Sequence, residues 1–226
     1  MDGPLITNIF CLIGKPGSGR ETIQKNILSR KEFIDKYNIK KLVYGTTRPI
    51  KPGDIEGETY HFFTDEEYAN IDSDELIESR SYDNYGDKIY YYFTLKNYIM
   101  FGDTYIAKVS THQYVELKKW ALTTQMSNPS CCINIYPIMI TAPIFEREKR
   151  MMSKASTDAD VYNMCIKLVA ERYEFCDVIN KNPELIDNMN HNSCILDNSK
   201  SGRHNIILLG DQLQKFIEIK ILMQGL

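Results

Sequence analysis

Gly14-Lys15-Pro16-Gly17-Ser18-Gly19-Arg20-Glu21-Thr22 is the stretch on which the fold turns. The apolar segment 7–13 (TNIFCLI) before it reads as a buried strand of a parallel sheet. After it, residues 21–37 carry Ile23, Ile27, Leu28, Phe33 and Ile34 at helical spacing. The nine residues follow the pattern G-x-x-x-x-G-K-[ST], with Arg20 in the lysine position and Glu21 in the hydroxyl position. Glycines at this spacing let successive backbone N–H groups face a phosphate, and the helix that follows adds its positive N-terminal end. The plainer reading is a glycine turn that caps a helix, and a strand and a helix on the correct sides weigh against it.

Outward from this loop, 42–44 reads as a second strand and 46–57, rich in Pro, Gly and charge, as an ordered loop. Residues 60–63 read as a strand, and Thr64-Asp65-Glu66-Glu67 as an N-cap with an acidic first turn. Alternation over 75–82, a turn at 84–87 and a further strand over 89–95 suggest antiparallel pairing. Core strands are expected at 104–109, 133–141 and 192–197, and helices at 113–124, 143–154, 158–175 and 210–223. Pro137 has no N–H to give to a ladder.

The chain has 226 residues, 43% of them hydrophobic, enough for one α/β domain with an inserted lobe. A net charge of −3 gives no overall basic field for nucleic acid. The apolar run 9–13 is far short of the roughly 20 residues that cross a bilayer, so a soluble, cytoplasmic protein is expected. Six cysteines without an export signal are expected to be buried thiols, and the adjacent pair Cys131-Cys132 has no zinc-ligand spacing.

A second constellation is longer and more specific: Thr46-Thr47-Arg48-Pro49-Ile50-Lys51-Pro52-Gly53-Asp54-Ile55-Glu56-Gly57-Glu58-Thr59-Tyr60-His61-Phe62. An arginine and a second base a few residues on grip a monophosphate as a fork and a point charge, and Tyr60 adds a neutral O–H donor. This run resembles the guanylate kinase pattern T-T-R-x-x-[RK]-x-G-E-x-x-G-x-x-Y-x-F, with Asp54 for the usual Glu. The resemblance implies a P-loop NTPase-type parallel sheet core flanked by helices, with an inserted mixed α/β monophosphate-binding lobe and a short helical lid. One domain over 1–226 is implied: core at 5–38, 98–142 and 163–226, lobe at 39–97, lid at 143–162.

By the same resemblance the function is phosphoryl transfer from ATP, with Mg²⁺, to GMP, dGMP or a related purine monophosphate. The partners are small nucleotides, with no nucleic acid or membrane, in a monomer or a dimer. Gly14, Lys15, Pro16, Gly17, Ser18, Gly19, Arg20, Glu21 and Thr22 would hold ATP. Arg48, Lys51, Tyr60 and Tyr92 would hold the acceptor phosphate, and Glu78, Thr94 and Ser110 would meet the base. Arg147 and Arg150 resemble lid arginines and Lys167 falls near the second one, so these three with Arg20 form the expected catalytic set. A solvated helix face is the competing reading of 146–150.

Departures from the pattern cluster at the donor end. Arg20 replaces a phosphate-bridging lysine, and a guanidinium is not a compact ammonium. Glu21 replaces a hydroxyl that would hold Mg²⁺, although a carboxylate is itself a hard oxygen ligand. The family's D-x-D falls on Lys108-Val109-Ser110, and Tyr44-Gly45 stands where a serine usually precedes T-T-R. A guanylate-kinase-like binding module with weakened catalysis is therefore the alternative.

Overall fold

The computed structural model describes residues 4–84, 88–162, 164–166, 168, 181, 194–200 and 202–225. Strand β1 (Leu5–Ile13) is buried from Thr7 onward and lies at the centre of a sheet. Its neighbours are β7 (Thr104–Lys108) and β8 (Cys131–Thr141), both parallel to it. With β2 (Ile39–Lys41) beyond β7 and β9 (Cys194–Asp197) beyond β8, the order is β2-β7-β1-β8-β9. A strand covered on both faces reads as a continuous apolar run, which is why 7–13 shows no alternation in polarity.

Alternation is visible instead in where the side chains go. Ile9, Cys11 and Ile13 join one core with Tyr105, Ala107, Tyr114 and Leu117 under helix α4 (Thr111–Ser127). Phe10 and Leu12 join the other with Ile23 and Ile27 of α1 (Arg20–Leu28) and Leu209, Leu213 and Ile217 of α6 (Arg203–Leu222). Helices thus cover both faces, the P-loop NTPase-type α/β arrangement expected.

The remaining strands form a smaller sheet of order β4-β3-β6-β5. These are β3 (Gly45–Thr46), β4 (His61–Phe62), β5 (Leu76–Asn84) and β6 (Lys88–Leu95). Helix α3 (Asp65–Ala69) begins with the expected cap, Thr64 and Glu67 exchanging hydrogen bonds in a capping box. Residues 85–87 of the expected turn lie outside the described residues.

Several elements differ from expectation. The helix over 21–37 is two, α1 and α2 (Lys31–Lys36), broken at Ser29-Arg30 where α1 ends. The strand expected at 42–44 is a connection between β2, which pairs with β7 in the large sheet, and β3, which pairs in the small one. The chain therefore leaves the large sheet after Leu42, whose N–H still donates to the Ile106 carbonyl (3.2 Å). Helix α6 starts seven residues before the expected 210, and α5 (Ile144–Met152) is shorter than 143–154. The outer half of the helix expected over 158–175 and the start of the strand expected at 192 lie outside the described residues. Pro137 is tolerated in β8 because pairing with β9 begins only at Ile138.

Cys11, Cys131, Cys132, Cys165 and Cys194 are free thiols, and Cys176 lies outside the described residues. Burial pushes the Cys11 thiol far above its ordinary value, so it behaves as an apolar core residue. Among the described residues no helix is long and apolar enough to cross a membrane.

The carboxyl ends of the core strands converge. The glycine loop follows β1, Val109 and Ser110 follow β7, Pro143 follows β8 and Asn198 follows β9. In parallel α/β sheets that edge is where ligands bind. The position of this edge depends on packing beneath it, where Leu213 is fully buried between α6 and the sheet. Leu213→Ala is expected to lower stability by about 2–5 kcal/mol, the cost of lost transfer energy plus a cavity. Urea denaturation checks it, with the midpoint falling and the slope unchanged.

Candidate functional site

The glycine loop is braced from behind. Gly17 (φ 74°) and Gly19 (φ 99°) take the left-handed backbone that other residues avoid. Space forbids side chains as well: a Cβ on Gly14 would collide with the Ile140 carbonyl, and one on Gly17 would lie 2.5 Å from the Arg147 carbonyl. Arg147, buried on α5, donates from Nη1 to the Pro16 carbonyl (3.2 Å). Arg150 donates to the carbonyls of Gly17 (3.3 Å) and Asn198 (2.9 Å). Asn198, also buried, donates from Nδ2 to the Ser18 carbonyl (2.7 Å). Three successive loop carbonyls are therefore taken up by side-chain donors, which leaves the loop N–H groups as its available polar face.

Arginines expected to close over a phosphoryl group are thus engaged with loop carbonyls, because α5 starts directly after β8 and packs on the loop. Lys167 lies outside the described residues. Arg20 opens α1 and donates from Nη1 to the Val109 carbonyl (2.7 Å) at the end of β7. Glu21 and Thr22 face solvent in the first turn of α1. Lys25 Nζ lies 2.9 Å from a Glu21 carboxylate oxygen. That contact, aided by the charges of Lys108 and Lys25 and opposed by burial, holds the Glu21 carboxyl below its ordinary value.

Beside α1 lies a cavity of about 390 Å³ lined by Glu21, Gln24, Lys25, Lys41, Tyr44, Asp54, Tyr60 and Lys108, among others. It separates the first turns of α1 from the loop 52–60. Its wall carries three lysines and Glu21. Among the described residues no cluster of three or more His, Cys, Asp or Glu side chains could hold a metal ion. The two carboxylates on the cavity wall, Glu21 paired with Lys25 and Asp54 with Arg48, do not fit a protein-held Mg²⁺, which takes an octahedron of hard oxygens.

Across the cavity the second constellation is built around Asp54. Its carboxylate accepts from Arg48 Nη2 (2.8 Å) and from the Lys51 backbone N–H (2.8 Å). Burial opposes the charged form of Asp54, but these two donors outweigh it and hold the carboxyl below its ordinary value. The Arg48 guanidinium packs over the rings of Tyr60 (5.4 Å) and Phe62 (5.5 Å). Burial raises the phenols of Tyr60, to about 12, and of Tyr92, which also meets Thr46 and Arg48. Both remain neutral O–H donors at physiological pH. Thr46 Oγ1 accepts from the Arg48 backbone N–H and donates to the Tyr91 carbonyl, fixing where Arg48 leaves the sheet. The Lys51 side chain is exposed.

Glu78 is the buried carboxylate of the small sheet. Its Oε1 accepts from Thr94 Oγ1 (2.7 Å) and Gln113 Nε2 (3.0 Å), and its Oε2 lies 3.5 Å from Arg80 Nη1. Arg80 Nη1 also reaches Ser110 Oγ (3.3 Å). Glu78, Thr94 and Ser110 are therefore brought together as expected, but Ser110 is committed as the N-cap of α4, accepting from Gln113 N. Since β5 contributes Glu78 and Gln113 belongs to α4, this cluster ties the two sheets together.

Four participants were missed. Arg80 follows Glu78 by two, the spacing of one strand face, and Ser110-x-x-Gln113 is a capping-box signature. Lys108 was noted only as the occupant of an altered motif. Asn198 has no local signal, because its role depends on β9 ending beside the loop.

The guanylate kinase family model matches residues 7–100. The guanylate kinase of Buchnera aphidicola subsp. Baizongia pistaciae is 26% identical over 211 residues, 92% of each chain. That of Mycoplasmopsis pulmonis is 28% identical over 164 residues, 67% of this chain and 72% of the relative. A shorter match, 39% over 72 residues, is to the guanylate kinase of Agrobacterium fabrum and covers 31% of this chain and 30% of the relative. The crystal structure of guanylate kinase from Anaplasma phagocytophilum superposes with a TM-score of 0.52 at 16% identity, covering 94% of this chain and 86% of that one, a likeness of fold. By these matches the chain is similar to guanylate kinases, in sequence through the loop and the grip and in fold over most of its length.

Proposed function

We propose that the chain transfers a phosphoryl group from ATP to GMP, dGMP or a related purine nucleoside monophosphate. The observation that carries this reading is the pre-assembled grip of Arg48, Tyr60 and Tyr92, whose Tyr60 and Asp54 share a cavity wall with the α1 residues that follow the braced loop. Arg48 and Lys51 hold the acceptor phosphate, with the two phenols donating to its remaining oxygens. Glu78 and Thr94 meet the hydrogen-bonding edge of the base, Glu78 as acceptor for ring N–H and amino donors. Backbone N–H groups of 15–20 hold the donor phosphates, with Arg20 nearby. Closure of the acceptor lobe (39–97) over the cavity excludes water, which favours transfer over hydrolysis. Among the described residues no cluster forms a cage for Mg²⁺, so no step is assigned to that ion.

A second reading, a nucleotide-binding module with weakened catalysis, draws support from Arg20 bonded to the Val109 carbonyl and Glu21 bonded to Lys25. Calorimetry with GMP and ATP separately discriminates: tight GMP with no ATP binding favours the module.

The kinase reading requires ADP formation in a coupled assay with GMP and ATP. None above background, from a folded preparation, overturns it. Arg48→Ala is expected to raise the KM for the monophosphate roughly tenfold or more, through loss of a charge-assisted fork. The same assay over a GMP series checks this, and an unchanged KM removes Arg48 from the grip. Glu78→Gln is expected to cut kcat/KM for GMP by roughly 10–100-fold, because an amide offers an N–H where the base needs an acceptor. Activity with AMP, measured in parallel, should be far less affected.

A further inference from the structure

The lysine-rich wall of the cavity is already partly spoken for. Lys25 contacts Glu21, Lys41 donates to the Glu58 carbonyl, and Arg20 is bonded to Val109. Lys108, the last residue of β7, stands partly buried in the same wall. Among the described residues no hydrogen bond or ion pair engages its ammonium. A cation held without a partner in a half-buried cavity is costly unless an anion comes to it. The cavity lies between α1, which follows directly on the glycine loop, and the loop 52–60, which carries Asp54 and Tyr60 of the grip.

We propose that Lys108, and not Arg20, is the phosphate-bridging cation of this site, contacting the phosphoryl oxygens that pass between donor and acceptor. The proposal rests on the phosphotransferase reading for the role in transfer, and on the cavity alone for anion binding. In the transfer the bond from phosphorus to the acceptor phosphate oxygen forms as the bond to the donor's bridging oxygen breaks. Lys108 gives up no proton and forms no bond. It offsets charge on the phosphoryl oxygens, which is most of what such chemistry asks of a protein. A compact ammonium suits this as a point charge, whereas the Arg20 guanidinium is already occupied.

Burial holds the Lys108 ammonium below the ordinary lysine value, with Glu21 opposing and Arg20, Lys41 and Lys25 reinforcing the shift. On the cavity wall Tyr60 titrates only near 12, Tyr44 is raised well above its ordinary value and Asp54 is lowered. Lys41 is itself lowered by burial but is engaged with Glu58. If the charged form of Lys108 is the working form, kcat/KM falls as pH rises through its lowered pKa.

The test uses the full chain with Lys108→Met and Lys108→Arg, each checked for cooperative melting. Titration with tripolyphosphate by calorimetry and turnover with ATP and GMP are then measured. Lys108→Met should weaken tripolyphosphate binding roughly tenfold or more and lower kcat roughly 100-fold or more, a larger loss than Arg20→Met. Lys108→Arg should restore part of both and remove the alkaline fall in kcat/KM. Unchanged tripolyphosphate affinity in Lys108→Met overturns the assignment whatever the turnover. A wild-type chain that binds tripolyphosphate through Lys108 but makes no ADP overturns the kinase reading and leaves the anion site standing.

Discussion

Burial of β1 on both faces is the constraint from which the rest of the site follows. A strand with β7 and β8 hydrogen-bonded on either side has no exposed edge, so its connections must leave from its ends. The glycine loop emerges at the same level as Val109, Pro143 and Asn198, and these segments have only each other to pack against. Arg147, Arg150 and Asn198 meet the loop carbonyls there, and the braced loop is a property of the sheet edge as much as of its own glycines. A loop held this way binds an anion with little reorganisation, because its dipoles are already oriented.

Charge is arranged on the same plan at two depths. In the smaller lobe Asp54 holds Arg48 in place, an ion pair whose side chains are only 10% and 12% exposed and whose further hydrogen bond comes from the Lys51 backbone N–H. Deep in the small sheet Glu78 has no solvent exposure and depends on Thr94, Gln113 and Arg80 for its hydrogen bonds. Arg80 complicates the simple expectation of a carboxylate that reads a base. A guanidinium beside Glu78 adds donors to a surface that would otherwise only accept, so an entering base must displace the Arg80 contact or present an acceptor to it. At 3.5 Å the contact is the longest in the cluster and the easiest to exchange.

The fold was legible where local physics and burial agree. The run 7–13, the capping box at Thr64 and the apolar stretch through Pro137 all announce their elements. Boundaries failed where tertiary context decides: 42–44 is apolar enough for a strand, yet it bridges two sheets, with one backbone hydrogen bond from Leu42 to Ile106 of the large sheet and one from His61 of the small sheet to Tyr44. Site residues were legible where a motif carries chemistry in a contiguous run, as at 46–62. Residues whose role arises from meeting another element, such as Asn198 beside the loop or Gln113 beneath Glu78, carry no sign of it in their own neighbourhood. Arg147 and Arg150 were recognisable as a pair, but the direction of their guanidiniums depends on how α5 sits against the loop.

The departures at the donor end form one coupled change when charge is considered as a whole. Replacing a loop lysine by Arg20 removes an ammonium from the nest, because the longer, planar group reaches the Val109 carbonyl instead. Replacing a hydroxyl by Glu21 adds a negative charge to the cavity wall, which by itself would repel a phosphate. Lys25 and Lys108 answer that charge, Lys25 by direct contact and Lys108 through the field it shares with Glu21. Had Lys108 been an aspartate, as in the family pattern, two carboxylates would face each other across the cavity, favouring a bridging metal. With a lysine there instead, Glu21 shares its field with a cation, and under the proposed role of Lys108 the charge that offsets the phosphates comes from a side chain. Arg20, Glu21 and Lys108 are each hard to explain as an isolated replacement, and together they are electrostatically consistent.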